Sequence, residues 1–144
     1  MVTKSYSVER TIDASPQRVW ELLADADGYA RWNPAVVSLS GCIAGGETIK
    51  LVSTVNPGRT FSLAVSDVEP PNTMVWSDGM PLGLFRGVRT FSLRAVGAER
   101  TEFSMQERYS GPLSGLITRA IPDLSESFAQ FADGLKRAAE SGPS

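Results

Sequence analysis

An α+β fold, an antiparallel and strongly curved sheet of about seven strands wrapped on a long C-terminal helix, is what three features of this sequence predict. Between residues 36 and 109, short strand-like segments alternate with turn residues. After Gly111 the apolar period lengthens to helical spacing. A capped helix signal, "SPQRVWELLADADGYARWNP", stands at 15–34 ahead of most of the sheet.

The first strand is predicted over Lys4 to Ile12, with Tyr6, Val8 and Ile12 on one face. Ser15 suits an N-cap and Pro16 the first helical position; Val19, Trp20, Leu22 and Leu23 form the apolar stripe. Asp25-Ala-Asp27-Gly28 breaks this helix, with Asp27 placed to cap a second short turn through Trp32. Pro34 then drives Asn33 out of helical geometry. Strands follow over Val36–Ile43, Thr48–Val55, Thr60–Val68, Thr73–Ser77, Phe85–Val96 and Arg100–Tyr109, separated by Gly45-Gly46, Asn56-Pro57-Gly58, Pro70-Pro71-Asn72, Asp78-Gly79 and Gly97-Ala98. Connections this short imply an antiparallel meander. From Leu113 to Ala139 the apolar residues lie on one helical face, which Pro122 is expected to kink or split. The tail at 141–144 is expected to be disordered. The two early helices are expected to close one end of the sheet.

Composition narrows the function. The chain has 144 residues, 42% hydrophobic and 21% charged, which suits one domain over 1–144. A net charge of −2 with dispersed basic residues argues against nucleic-acid binding. No apolar run reaches bilayer length and the N-terminus lacks a signal-peptide core, so no stable membrane insertion and a cytoplasmic location are expected. The single Cys42 is expected to be a small buried residue rather than a reactive thiol. The chain contains no histidine, which removes Ser-His-Asp and Cys-His systems and imidazole metal sites. Acid–base chemistry would fall to carboxylates, Lys, Arg, Tyr or water. Neither metal nor cofactor is expected.

Side-chain parity selects the inward face. In the sixth strand Phe85, Gly87, Arg89, Phe91, Leu93 and Ala95 share the apolar side, and in the seventh Phe103, Met105, Glu107 and Tyr109 do. A tight turn at Gly97-Ala98-Glu99 pairs Leu93 with Phe103, Phe91 with Met105 and Arg89 with Glu107, whereas a one-residue slip would misalign both faces. Two opposite charges therefore meet on an otherwise apolar surface, as a structural ion pair or as a polar anchor for a ligand. Trp76 with Met74, and Phe61, Leu63 and Val65, share the interior by the same parity. Leu124 and Phe128 lie on the facing helix. Trp32 stands where a short helix can form a lid, and Tyr109 is placed to point its hydroxyl inward. Asp78 is expected at a solvated loop rim. The segments Asp25–Pro34 and Asp78–Leu84 are expected to flank the mouth of any cavity.

This order of elements, with "IDASPQRVWELLADADGYARWNP" at 12–34, "MVWSDGM" at 74–80, "FRGVRTFSL" at 85–93 and "TEFSMQERYSG" at 101–111, resembles the START-like helix-grip superfamily (SRPBCC) over essentially the whole chain. That superfamily includes polyketide cyclases/dehydrases, pollen-allergen-type ligand binders and lipid-transfer domains. The sequence is most similar to its bacterial polyketide cyclase/dehydrase-like subgroup. The resemblance implies a long hydrophobic cavity between sheet and C-terminal helix, holding a polyketide-, lipid- or aromatic-like small molecule. The residues named above, from Trp32 and Phe61 to Leu124 and Phe128, are its candidate contacts. A cyclase or dehydratase is the alternative, with Glu107 as general base, Arg89 stabilising an enolate and Tyr109 donating a hydrogen bond. A chaperone-activator-type interaction module is a second alternative, for which the sequence shows no docking patch. Related sequences often carry a histidine in the segment matching Gly87–Phe91, where this chain has Arg89, so no histidine-dependent mechanism carries over.

Overall fold

The chain runs from one edge of a single antiparallel sheet to the other and back. A computed structural model describes residues 2–120 and 123–141. Strand β1 (Val2–Ile12) leads through helix α1 (Pro16–Leu23), a 3-10 turn (Ala26–Gly28) and helix α2 (Tyr29–Trp32) to β2 (Val36–Ser40). Then come β3 (Thr48–Ser53), β4 (Phe61–Glu69), β5 (Thr73–Gly79), β6 (Arg86–Gly97) and β7 (Arg100–Ser110). Helices α3 (Ser114–Ala120) and α4 (Ser125–Ser141) complete the order. The seven strands stand in the order β1-β7-β6-β5-β4-β3-β2. Since β1 and β2 occupy opposite edges, α1 and α2 must carry the chain across the full width of the sheet. That is the structural task of the early helical stretch.

Its local chemistry is legible. The Ser15 hydroxyl accepts from the Arg18 N–H at 3.2 Å, and Pro16 opens α1 without needing a donor. Asp27 does not cap the next turn. It lies inside the 3-10 turn, and neither that turn nor α2 has a side-chain cap. Asn33 stops α2 in extended geometry, and its Oδ1 accepts from the Ala35 N–H at 2.9 Å.

Registers follow the parity argument. Leu93 pairs with Phe103, Phe91 with Met105 and Arg89 with Glu107. Strand β2 is shorter than expected and ends at Ser40, since Gly41 turns the chain with φ +108°. Cys42 therefore sits beyond the strand and is exposed, not buried. The C-terminal helical stretch is split into α3 and α4, while Pro122 and the tail at 142–144 lie outside the described residues.

Helix α4 lies over the concave face and packs on β1, α1 and α2. Phe131, 2% exposed, is the hub of this packing. Its ring meets Tyr29 and Trp32 from the crossover, and Phe91 and Phe103 from the sheet, at centroid distances of 5.9, 5.8, 5.8 and 6.4 Å. Gly134, one turn on, touches the crossover backbone: a Cβ there would stand 2.5 Å from the Trp32 carbonyl oxygen. Only glycine lets α4 settle so close to the end of α2.

Candidate functional site

Three rows of side chains cross the concave face. Met74, Phe91, Met105 and Val8 form the first, on β5, β6, β7 and β1. Trp76, Arg89, Glu107 and Tyr6 form the second, two residues along each strand. Asp78, Gly87 and Tyr109 form the third. Two-residue periodicity puts all three on one side of the sheet. Apolar residues fill the first row; Phe131 of α4 packs on it at Phe91, while Met105 borders the cavity. The second and third rows carry the polar groups, and they open on a cavity of about 680 Å³.

The cavity lies between these rows, the sheet's β3–β4 side and the α3–α4 segment. Leu51, Phe61 and Leu63 line it from β3 and β4, Met80 and Phe85 from the β5–β6 connection, and Ile117, Leu124 and Phe128 from the helical side. Its exposed lining residues Val55, Asn56, Arg59, Met80 and Leu116 come from the β3–β4 loop, the β5–β6 loop and α3. The β5–β6 half of the expected mouth is therefore in place. The segment Asp25–Pro34 is not. Its aromatic ends are spent on the core, where the Tyr29 and Trp32 rings meet at a tilt of 46° with centroids 4.7 Å apart and pack against Phe131.

Of the expected contacts, Phe61, Leu63, Trp76, Phe85, Arg89, Met105, Glu107, Tyr109, Leu124 and Phe128 line the cavity. Trp32, Val65, Met74 and Phe91 do not. Val65, Met74 and Phe91 are buried in the core, Met74 and Phe91 in the first row and Val65 beside Trp76 of the second, and Trp32 closes the crossover instead of a lid. Parity identifies the concave face but not how far along it α4 reaches. Sequence reasoning missed the loop residues Val55, Asn56 and Arg59, and Leu116 and Ile117 of α3. The turn at Asn56-Pro57-Gly58 marked the loop, yet nothing in it signalled which way the loop folds.

Electrostatics give the site its character. The Arg89 Nε donates to Glu107 Oε1 at 2.6 Å, with 17% and 14% of the two side chains exposed. The guanidinium also lies 4.7 Å over the Phe128 ring, so α4 contributes a cation–π contact. Tyr109 stands two residues from Glu107 on the same face of β7 and stacks on Phe85 at 5.7 Å. Burial first, and then the charge of Glu107, push the Tyr109 phenol far above its usual range. Asp78, expected to be solvated, is half-buried. Burial and then the charge of Glu107 raise its pKa, against the weaker opposing effects of Arg59 and Arg89. Its neighbour Gly87 gives room for this: an added Cβ would lie 3.1 Å from Asp78 Oδ1 and 3.2 Å from Tyr109 Cε1. The two side chains converge above the glycine. Trp76 keeps its indole N–H buried, without a hydrogen-bond partner among the described residues.

A curved antiparallel sheet gripping a C-terminal helix, with a lined cavity between them, defines the helix-grip class. The chain belongs to the family described as polyketide cyclase / dehydrase and lipid transport, which matches residues 3–140. No curated protein matches it in sequence. Among solved structures it is similar to the Zhui aromatase/cyclase from Streptomyces sp. R1128, with 17% identity, TM-score 0.74, and coverage of 95% of this chain and 93% of that one. It is also similar to the START superfamily protein from Mycobacterium smegmatis (15% identity, TM-score 0.70, 94% and 97% covered) and to Aha1 from Colwellia psychrerythraea (22%, 0.71, 99% and 100%). At these identities the likeness shows the shared fold.

Proposed function

We propose that this chain, as one domain over 1–144, binds a hydrophobic small molecule of polyketide-, lipid- or aromatic-like character in the cavity between sheet and helix. One observation carries the reading. A cavity of about 680 Å³ with mostly apolar walls has convergent polar groups on one wall, the arrangement that buries a ligand and fixes its orientation. The family description and the aromatase/cyclase neighbour support it. Among the described residues no helix is long and apolar enough to cross a membrane. We place the protein in the cytoplasm. Titration with 2-aminoanthracene, followed by ligand fluorescence, is expected to saturate at one site per chain and to weaken in Phe61→Asp. Absence of saturable binding across a panel of apolar ligands, together with a native mass spectrum showing none retained, overturns the reading.

A second reading is an enzyme of cyclase or dehydratase type. The observation in its favour is that Glu107, Tyr109 and Asp78 surround Arg89 inside the same cavity. Glu107 would take a proton from carbon and Arg89 would hold the resulting enolate oxygen. Glu107→Gln is then expected to lower turnover on an identified substrate at least a hundredfold, roughly the contribution of a general base. Unchanged turnover excludes that role. The chaperone-activator alternative has only the superfamily resemblance behind it.

A further inference from the structure

We infer that the cavity selects ligands whose polar end is uncharged and carries a hydrogen-bond donor, and that Asp78 is the residue that rejects carboxylates. This rests on the cavity being a ligand site, and it names the ligand class. The charged residues lining the cavity are Arg59, Asp78, Arg89 and Glu107. Arg59 is exposed in the β3–β4 loop, its guanidinium 4.7 Å over the Phe61 ring, where solvent weakens its pull on Asp78 without removing it. Arg89 is bonded through Nε to Glu107. That leaves Asp78, half-buried, whose carboxyl group makes no hydrogen bond or ion pair with any described residue.

An incoming carboxylate would be the third acidic group around a single interior guanidinium. Burial makes that expensive, because like charges in a weakly screened site repel strongly and each must shed water. A neutral group meets the opposite situation. The Asp78 carboxyl group, held over Gly87 beside Tyr109, is an unused partner for a ligand hydroxyl or amine. The terminal nitrogens of Arg89, beyond the Nε that Glu107 holds, can donate to a ligand carbonyl or hydroxyl oxygen. The placement of Gly87 in the third row is part of the same device, since any larger residue there would push Asp78 and Tyr109 apart.

Two fluorescent probes of one shape separate the possibilities: 2-aminoanthracene, neutral at pH 7.5, and anthracene-2-carboxylate. The wild-type protein is expected to bind the amine roughly tenfold or more tightly than the carboxylate. Asp78→Asn is expected to tighten carboxylate binding and weaken amine binding, so that the preference shrinks several-fold. Gly87→Ala is expected to weaken the amine while the protein stays folded by circular dichroism. Equal affinity for the two probes, or a preference that Asp78→Asn leaves unchanged, overturns the inference while leaving the cavity reading intact. Saturable binding of neither probe overturns this inference, and it overturns the cavity reading as well where the wider panel of apolar ligands also fails to bind and a native mass spectrum shows none retained.

Discussion

Arg89 and Glu107 are two charges that a cross-strand register sets face to face, each with about one-sixth of its side chain exposed (17% and 14%). A fully buried pair loses about 3–5 kcal/mol when one partner is removed, and a solvated pair roughly 0–1. Partial exposure puts Glu107→Gln and Arg89→Met between these limits, at about 1–3 kcal/mol each in urea denaturation. The double variant is expected to recover part of that loss. Additive losses would mean that the two charges do not interact. Asp78 behaves differently, because its folded-state pKa lies above the ordinary 3.8. Such a group favours the folded state most when protonated, and that contribution is lost as pH rises through the raised value. Asp78→Asn is therefore expected to raise Tm at pH 7–8, with the gain vanishing below the ordinary carboxylate range. A gain independent of pH would contradict the burial of this carboxyl group.

At the scale of elements, the crossover helices and α4 are held together at a contact that only a hydrogen side chain permits. Gly134→Ala sets a Cβ 2.5 Å from the Trp32 carbonyl oxygen and 2.9 Å from Pro34 Cδ. The helix must shift outward, which loosens the rings of Tyr29, Trp32 and Phe131. Overpacking of this kind costs about 1–3 kcal/mol, more than alanine's better helix propensity returns. Thermal denaturation is expected to show a lowered Tm. An unchanged or higher Tm would mean that α4 does not bear on the crossover there. The β6–β7 hairpin, by contrast, owes its register to local pattern, since both inward faces match only one way.

For the molecule as a whole, packing and binding meet on the concave face, and Phe131 lines the cavity as well as holding the core together. Phe131 joins crossover, sheet and α4, so Phe131→Ala is expected to cost about 3–5 kcal/mol and to threaten the fold. Phe61 is half-buried on the cavity wall of β4, with Arg59 as its neighbour. Phe61→Ala is expected to change stability by less than about 1.5 kcal/mol, since much of its ring is not enclosed by protein. Its affinity for 2-aminoanthracene is expected to fall. A stability loss matching that of Phe131→Ala would place Phe61 in the core and shrink the cavity accordingly.

Element order, the Ser15-Pro16 helix start, the hairpin register and the meeting of Arg89 with Glu107 were all legible in the sequence. Each depends on local periodicity or on one tight turn, and such short-range constraints do not need the rest of the fold. The sequence also excluded histidine chemistry outright. Tertiary structure alone decided where packing stops and the cavity begins. That boundary turns on how α3 and α4 lie over the sheet, which moved Val65, Met74 and Phe91 into the core and Trp32 away from the mouth. It also drew Asp78 inward from the rim, because Gly87 on the neighbouring strand leaves space that a sequence pattern does not display. Contacts between residues far apart in the chain depend on the summed shape of many elements, and no single stretch of sequence encodes that sum.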